Sequence, residues 1–189
     1  MGWRTLFLKK FLRYFFYLLL IPGLIIALDQ YTKSLVRQNL ALGESWMPWQ
    51  DLAPYARILH WYNKGVAFGM FQEGGVIFIL LPIIIVVGII VYFPRIPNQD
   101  WSLRLALSMQ LGGAVGNLID RITIGQVTDF ISIGSFAVFN VADSAITVGT
   151  AVLVLGVWLQ ERREKAEREM IAQADGNPTE PFSEFHELS

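Results

Sequence analysis

Hydrophobic positions along this chain gather in four long blocks, Phe11 to Leu28, Val76 to Phe93, Leu103 to Ile119 and Ala145 to Leu159, with mixed polar and aromatic stretches between them. Each block approaches the ~20 apolar residues that a helix needs to cross ~30 Å of hydrocarbon, so the pattern predicts four transmembrane helices. The second block, an Ile and Val run, is expected to face lipid most. The third and fourth hold Ser108, Gln110, Asn117, Thr147 and Thr150, which suits helices that face one another. Pro22-Gly23 predicts a kink in the first block, and Asp29, Gln30 and Lys33 read as the same helix running on to an interface. A cleaved signal peptide is the rival reading of this N-terminus, but no small-x-small cleavage site follows Leu28.

Between the blocks the period changes. Ala56 to Tyr62 alternates and is followed by the turn signal Asn63-Lys64-Gly65, which predicts a short strand or hairpin on the membrane surface. Val127 to Val138 also reads as extended, with Gly134-Ser135 as a hairpin turn at its middle. Trp46, Trp49, Trp61 and Tyr62 suit an interfacial belt. After Gln160 acidic and basic residues alternate, then give way to Gly176-Asn177-Pro178, a helical extension that frays into disorder. The expected organisation is one four-helix domain over residues 1–160 with outer loops at 34–74 and 120–140, and a polar, partly disordered tail over 161–189.

Composition narrows the class. With 53% hydrophobic and 16% charged residues and a mean hydropathy of +0.44, the chain is too apolar for an ordinary soluble domain. There is no cysteine, which removes disulfides, thiolate catalysis and Cys-based metal sites, and His60 and His186 are too few for a His-rich zinc centre. Neither metal, cofactor nor nucleic acid is expected. The basic residues set orientation: Arg4, Lys9, Lys10 and Arg13, then Arg95 and Arg104, then Arg162, Arg163, Lys165 and Arg168 mark cytoplasmic flanks. Both termini are then inside, and the two long loops outside.

That topology brings Asp129 and Asp143, fourteen positions apart, to the outer face. A carboxylate near hydrocarbon is costly and asks for a reason. For Asp143 one reason is local: Asn140 would cap the fourth helix with Asp143 at the capping-box position. Asp129 is open to a similar reading, as a strand-end residue bonded to backbone amides. As a pair, two carboxylates a few Å apart cannot both ionise cheaply, so one keeps its proton and the other acts as base. A proton-coupled transporter would present the same carboxylates; a nucleophile elbow, an H-E-x-x-H motif and a Ser-Lys pair are all missing. Gly112 and Gly116 have the spacing of close helix packing, Asn117 and Arg121 share one helical face, and Asp29 and Lys33 stand at i and i+4, as a helix-end ion pair would. Arg121 is also open to snorkelling or to pairing with Asp120.

Five blocks in this order, Asp29 to Lys33, Asn63-Lys64-Gly65-Val66-Ala67-Phe68, Gly112 to Arg121, Val127-Thr128-Asp129-Phe130 and Phe139-Asn140-Val141-Ala142-Asp143-Ser144, resemble the signature blocks of lipoprotein signal peptidase (signal peptidase II). The resemblance implies a mainly α protein of the bacterial inner membrane with four transmembrane helices, an extracytoplasmic β-cradle and a short surface helix. It implies an aspartyl endopeptidase that removes the signal peptide from diacylglyceryl-modified prolipoproteins and is blocked by globomycin-type cyclic peptides. On that likeness Asp129 and Asp143 match the catalytic pair, Asn63, Asn117, Arg121 and Asn140 line the substrate pocket, and Asp29, Lys33 and Gly116 support it. A monomer in contact with membrane lipid is expected. Phe68, Phe130 and Phe139 would shape apolar walls. The chain departs from the pattern in a short Phe130 to Ala137 segment, which implies a trimmed outer rim, and in its polar tail.

Overall fold

A computed structural model describes residues 11, 12, 14–65, 76–97 and 99–174. The first three basic residues with Arg13, the Val66 to Phe68 part of the second block, and the tail from Asp175 on, with His186, lie outside the described residues.

The first apolar block begins with a widened turn, Phe16–Leu20, in which the Ile21 N–H reaches back five residues to Phe16 O. It leads into α1, Ile21–Asn39. Pro22 has no N–H to give the preceding turn and its ring crowds it, which accounts for the irregularity where a kink is expected. α1 runs well past Leu28, and of its polar residues Asp29 and Lys33 are fully buried within the protein. α2, Ile77–Tyr92, closes in a tight 3-10 turn, Phe93–Arg95. α3, Trp101–Ile124, stops at Gly125, whose φ of 75° is a left-handed stop. α4, Val141–Ala174, is helical well beyond the apolar block. Its turns just past the apolar block are tied by Gln160 to Glu164 at 3.0 Å and by the Arg162 guanidinium 4.3 Å above the Trp158 ring.

Among the described residues, three helical segments are long and apolar enough to cross a membrane: Phe16–Asn39, Ile77–Arg95 and Val141–Ala172, with mean hydropathies of 1.3, 2.9 and 1.7. α3, the third of four expected crossings, is not among them. Its length suffices; its composition does not, because it sits between α1, α2 and α4 and buries Arg104, Ser108, Asn117 and Asp120 against them. Polar groups are tolerated at such depth where they face protein. Its glycines allow that closeness. A Cβ on Gly113 would strike Ala142 O and stand 2.6 Å from Ile146 Cγ1, and one on Gly116 would be 2.8 Å from Asp29 Oδ2. The packing expected from Gly112 and Gly116 is therefore real, and it brings α1 and the start of α4 against the same stretch of α3.

Arg104 is a surprise of another kind. Expected as a cytoplasmic flanking charge, it is 2% exposed. It donates to Ile96 O and Pro97 O and lies 5.1 Å from the Phe93 ring centroid. It closes the carbonyl end of the α2 turn from inside the bundle.

Among the described residues, three antiparallel strands form a sheet in the order β1-β2-β3: β1 Ser45–Trp46, β2 Ala56–Asn63 and β3 Val127–Ile133. Both predicted extended segments are strands, and they pair with each other, Trp61 opposite Asp129 and Asn63 opposite Val127. Gly134, at φ 52°, makes the expected turn, after which Phe139 bridges back to Ile131. That return leaves Asn140 and the first turn of α4 beside β3. A 3-10 turn, Gln50–Leu52, lies between β1 and β2, and Trp46, Trp49 and Trp61 are exposed, as a surface belt would be.

Candidate active site

α4 starts with a reciprocal cap. The Asp143 N–H donates to Asn140 Oδ1 at 2.9 Å, and the Asn140 N–H donates to Asp143 Oδ2 at 3.3 Å. The capping role foreseen for Asp143 is thus present, and it is also what holds the carboxylate in place. The Asn140 amide turns the other way and donates to Asp129 Oδ1 at 2.7 Å, so one residue touches both carboxylates. Asn63, diagonal to Asp129 across the β2–β3 ladder, donates to Asp129 Oδ2 at 3.0 Å. Its own Oδ1 accepts the Gly65 N–H at 2.8 Å in the predicted turn. Asn117, from α3, donates to Asp143 Oδ1 at 2.7 Å. All four carboxylate oxygens therefore have a donor.

Burial above all pushes the Asp129 carboxyl from 3.8 up to about 6. The charge of Asp143 adds to the rise, and the donors Asn63 and Asn140 with the Lys33 ammonium oppose it. Two carboxylates bridged by one asparagine, one of them keeping its proton up to about pH 6, can supply an acid and a base to the same bound water.

Behind the carboxylates lies a buried charge network. The Lys33 ammonium sits 2.8 Å from Asp29 Oδ2 and 3.4 Å from Asp120 Oδ2. It also donates to Asn117 Oδ1 at 3.0 Å, which fixes the Asn117 amide with its NH2 toward Asp143. Asp29 accepts the Ala142 N–H at 2.9 Å, pinning α1 to the residue before Asp143. Gly116 gives the room, with its carbonyl taking a 3.0 Å bond from Gln30. Asp29, Lys33 and Gly116 thus make no hydrogen bond to either carboxylate; they act through the backbone and Asn117, and Lys33 also through its charge on Asp129.

Asp120 is a residue that the sequence reading left as a mere partner for Arg121. It is buried and accepts the Thr128 N–H at 2.9 Å, next to Asp129, while Arg37 bonds Thr128 Oγ1 at 2.9 Å and faces Asp120 at 3.5 Å. The signal was available as spacing: Asp29, Lys33 and Arg37 recur every four residues on one face of α1, a charged stripe that needs a buried acid opposite. Arg121 is left without a hydrogen bond or ion pair among the described residues. It lines a 180 Å³ cavity with Asn63, Lys64 and Gln126, within electrostatic reach of Asp129 and Asp143. Phe130 points away, since alternation along β3 sends it to the opposite face, where it lines a 550 Å³ cavity with Val36, Trp46 and Ile58. Phe139 packs edge-on against Phe136.

The family described as signal peptidase (SPase) II matches residues 21–159. A lipoprotein signal peptidase of Brevibacillus brevis is 42% identical over 77% of this chain and 97% of its own. One of Geobacillus thermodenitrificans is 43% identical over 77% of this chain and 92% of its own. Among solved structures, a bacterial membrane enzyme superposes with a TM-score of 0.67 at 28% identity, over 75% of this chain and 87% of that one. With most of its length matched by the family and by close relatives, the chain belongs to the signal peptidase II family.

Proposed function

We propose that the chain is an aspartyl endopeptidase that cuts the signal peptide from diacylglyceryl-modified prolipoproteins, with Asp129 and Asp143 as the reacting pair. The observation that carries this is Asn140, whose backbone N–H and side-chain amide bind the two carboxylates at once. Asp143 takes a proton from water, the oxygen attacks the scissile carbonyl, and Asp129 gives its proton to the carbonyl oxygen. Collapse of the resulting diol passes a proton to the leaving amine and frees the new N-terminus. Asn63, Asn117 and Asn140 orient the pair and the peptide, and the unpaired Arg121 faces the charge that develops on the carbonyl oxygen. No cofactor enters this scheme.

The charge bias of the flanks favours both termini in the cytoplasm and four crossings, with α3 as the inner one, in one domain over residues 1–160. The carboxylates then lie at the extracytoplasmic face of the inner membrane, where a lipid-anchored peptide meets them. One monomer contains every group named. Purified chain should cut a fluorescent diacylglyceryl-prolipoprotein on a gel, leave the unlipidated precursor intact, and stop with a globomycin-type peptide; cutting both precursors equally refutes the lipid-dependent assignment.

The proton on Asp129 has a measurable sign. Below about 6 the acid is present and above it the acid is lost, so kcat/KM falls as pH rises through that value. The Asn63 bond favours the ionised form, and Asn63→Ala therefore moves this limb to higher pH. A profile in which activity instead rises through 6 makes Asp129 the base.

A further inference from the structure

α4 carries an apolar groove of about 750 Å³, lined from Ile146 to Trp158 and starting about one helical turn beyond Asp143. Asp143, Thr147, Thr150, Val154 and Trp158 share one helical face, and Ala151 and Leu155 flank it. From Ile146 to Trp158 the groove is about 18 Å long at 1.5 Å per residue. The apolar core of a signal peptide, 7–15 residues, is about 10–22 Å long as a helix. The two lengths are compatible, and the groove begins about one helical turn from the carboxylate where cleavage would occur.

Its walls differ from a surface made for lipid alone. The outward face of α2 is large and branched apart from Gly88, as at Ile84 and Val87, whereas the upper groove is small, at Thr147, Thr150 and Ala151. Both threonine hydroxyls are turned back on their own helix, to Asp143 O and Ile146 O, each at 2.9 Å. Beside them Gln110 of α3 donates to Thr150 Oγ1 at 3.4 Å, and its carbonyl oxygen has no partner among the described residues. An amide oxygen left open against hydrocarbon is costly, and a peptide supplies the donors that an acyl chain lacks. Small side chains also let a second helix approach closely.

Resting on the peptidase function proposed above, we propose that this groove receives the apolar helix of the signal peptide, antiparallel to α4, with its C-terminal end delivered to Asp143. Photo-crosslinking with the full chain in lipid nanodiscs tests it. A photoreactive residue replaces Val154, or Ile84 on α2 as control, in an Asp129→Asn background, and a diacylglyceryl-prolipoprotein is added. The proposal expects an adduct with the signal peptide at position 154 and none at 84. Ala151→Leu, which fills the groove, should raise KM about fivefold or more with kcat within about twofold. Cleavage by the unmodified chain without an adduct at 154, an adduct with phospholipid only, or an unchanged KM overturns the groove and leaves the peptidase function standing. Absence of cleavage by the unmodified chain overturns both.

Discussion

Asp143→Asn and Asp129→Asn are each expected to lower kcat on a diacylglyceryl-prolipoprotein by about 10²- to 10⁴-fold, the range for losing a positioned acid or base. The substitutions are nearly isosteric, and each still offers one oxygen to the surrounding donors. Asp143 accepts from Asn117 at 2.7 Å and from the Asn140 N–H at 3.3 Å, so its amide replacement sets one N–H against another and costs some stability. A thermal midpoint in detergent separates that cost from chemistry: near-native melting with lost cleavage assigns a chemical role, and matching losses assign a scaffold role. Because the two groups would share one reaction, the double variant should be no slower than the worse single one. Full processing by either single variant would sink the aspartyl mechanism.

Much of this site was legible along the chain because its chemistry is packed into short blocks. The Asn140 and Asp143 spacing is a helix-start signature, and the segment on which Asp129 stands is rich in strand-forming residues with a glycine turn after it. What stayed hidden was which polar groups meet across the bundle. Asn117 and Arg121 are one turn apart on α3, yet Asn117 is 5% exposed and bound by three side chains while Arg121 faces an open cavity. Nothing local distinguishes them. Arg104 and Asp120 were misread for the same reason: a charge counted along a sequence is taken as solvated, and here the close packing of α3 encloses both. The weak apolarity of α3 has that origin too. Hydropathy scores a helix against lipid, and α3 is surrounded by protein.

Lys33→Met should be the most destabilising single change in the network. Lys33 is fully buried and serves Asp29, Asp120 and Asn117 together. Removing its ammonium leaves Asp29 with only neutral donors, Gln30 and the Ala142 N–H, and leaves Asp120 to Arg37 at 3.5 Å. Breaking one partner out of a buried pair costs about 3–5 kcal/mol, or about 6–20 °C in thermal midpoint for a chain of this size. Asp29→Asn combined with Lys33→Met removes the orphaned charge as well and should recover much of the loss. A double-mutant cycle measures that coupling, and additive effects would refute the pairing. Activity should recover less than stability, because Asn117 loses one of the two donors, Lys33 and Asn140, that hold its oxygen and turn its NH2 toward Asp143. A double variant that melts near the native temperature but cleaves slowly would separate what Lys33 does for the bundle from what it does for the carboxylates.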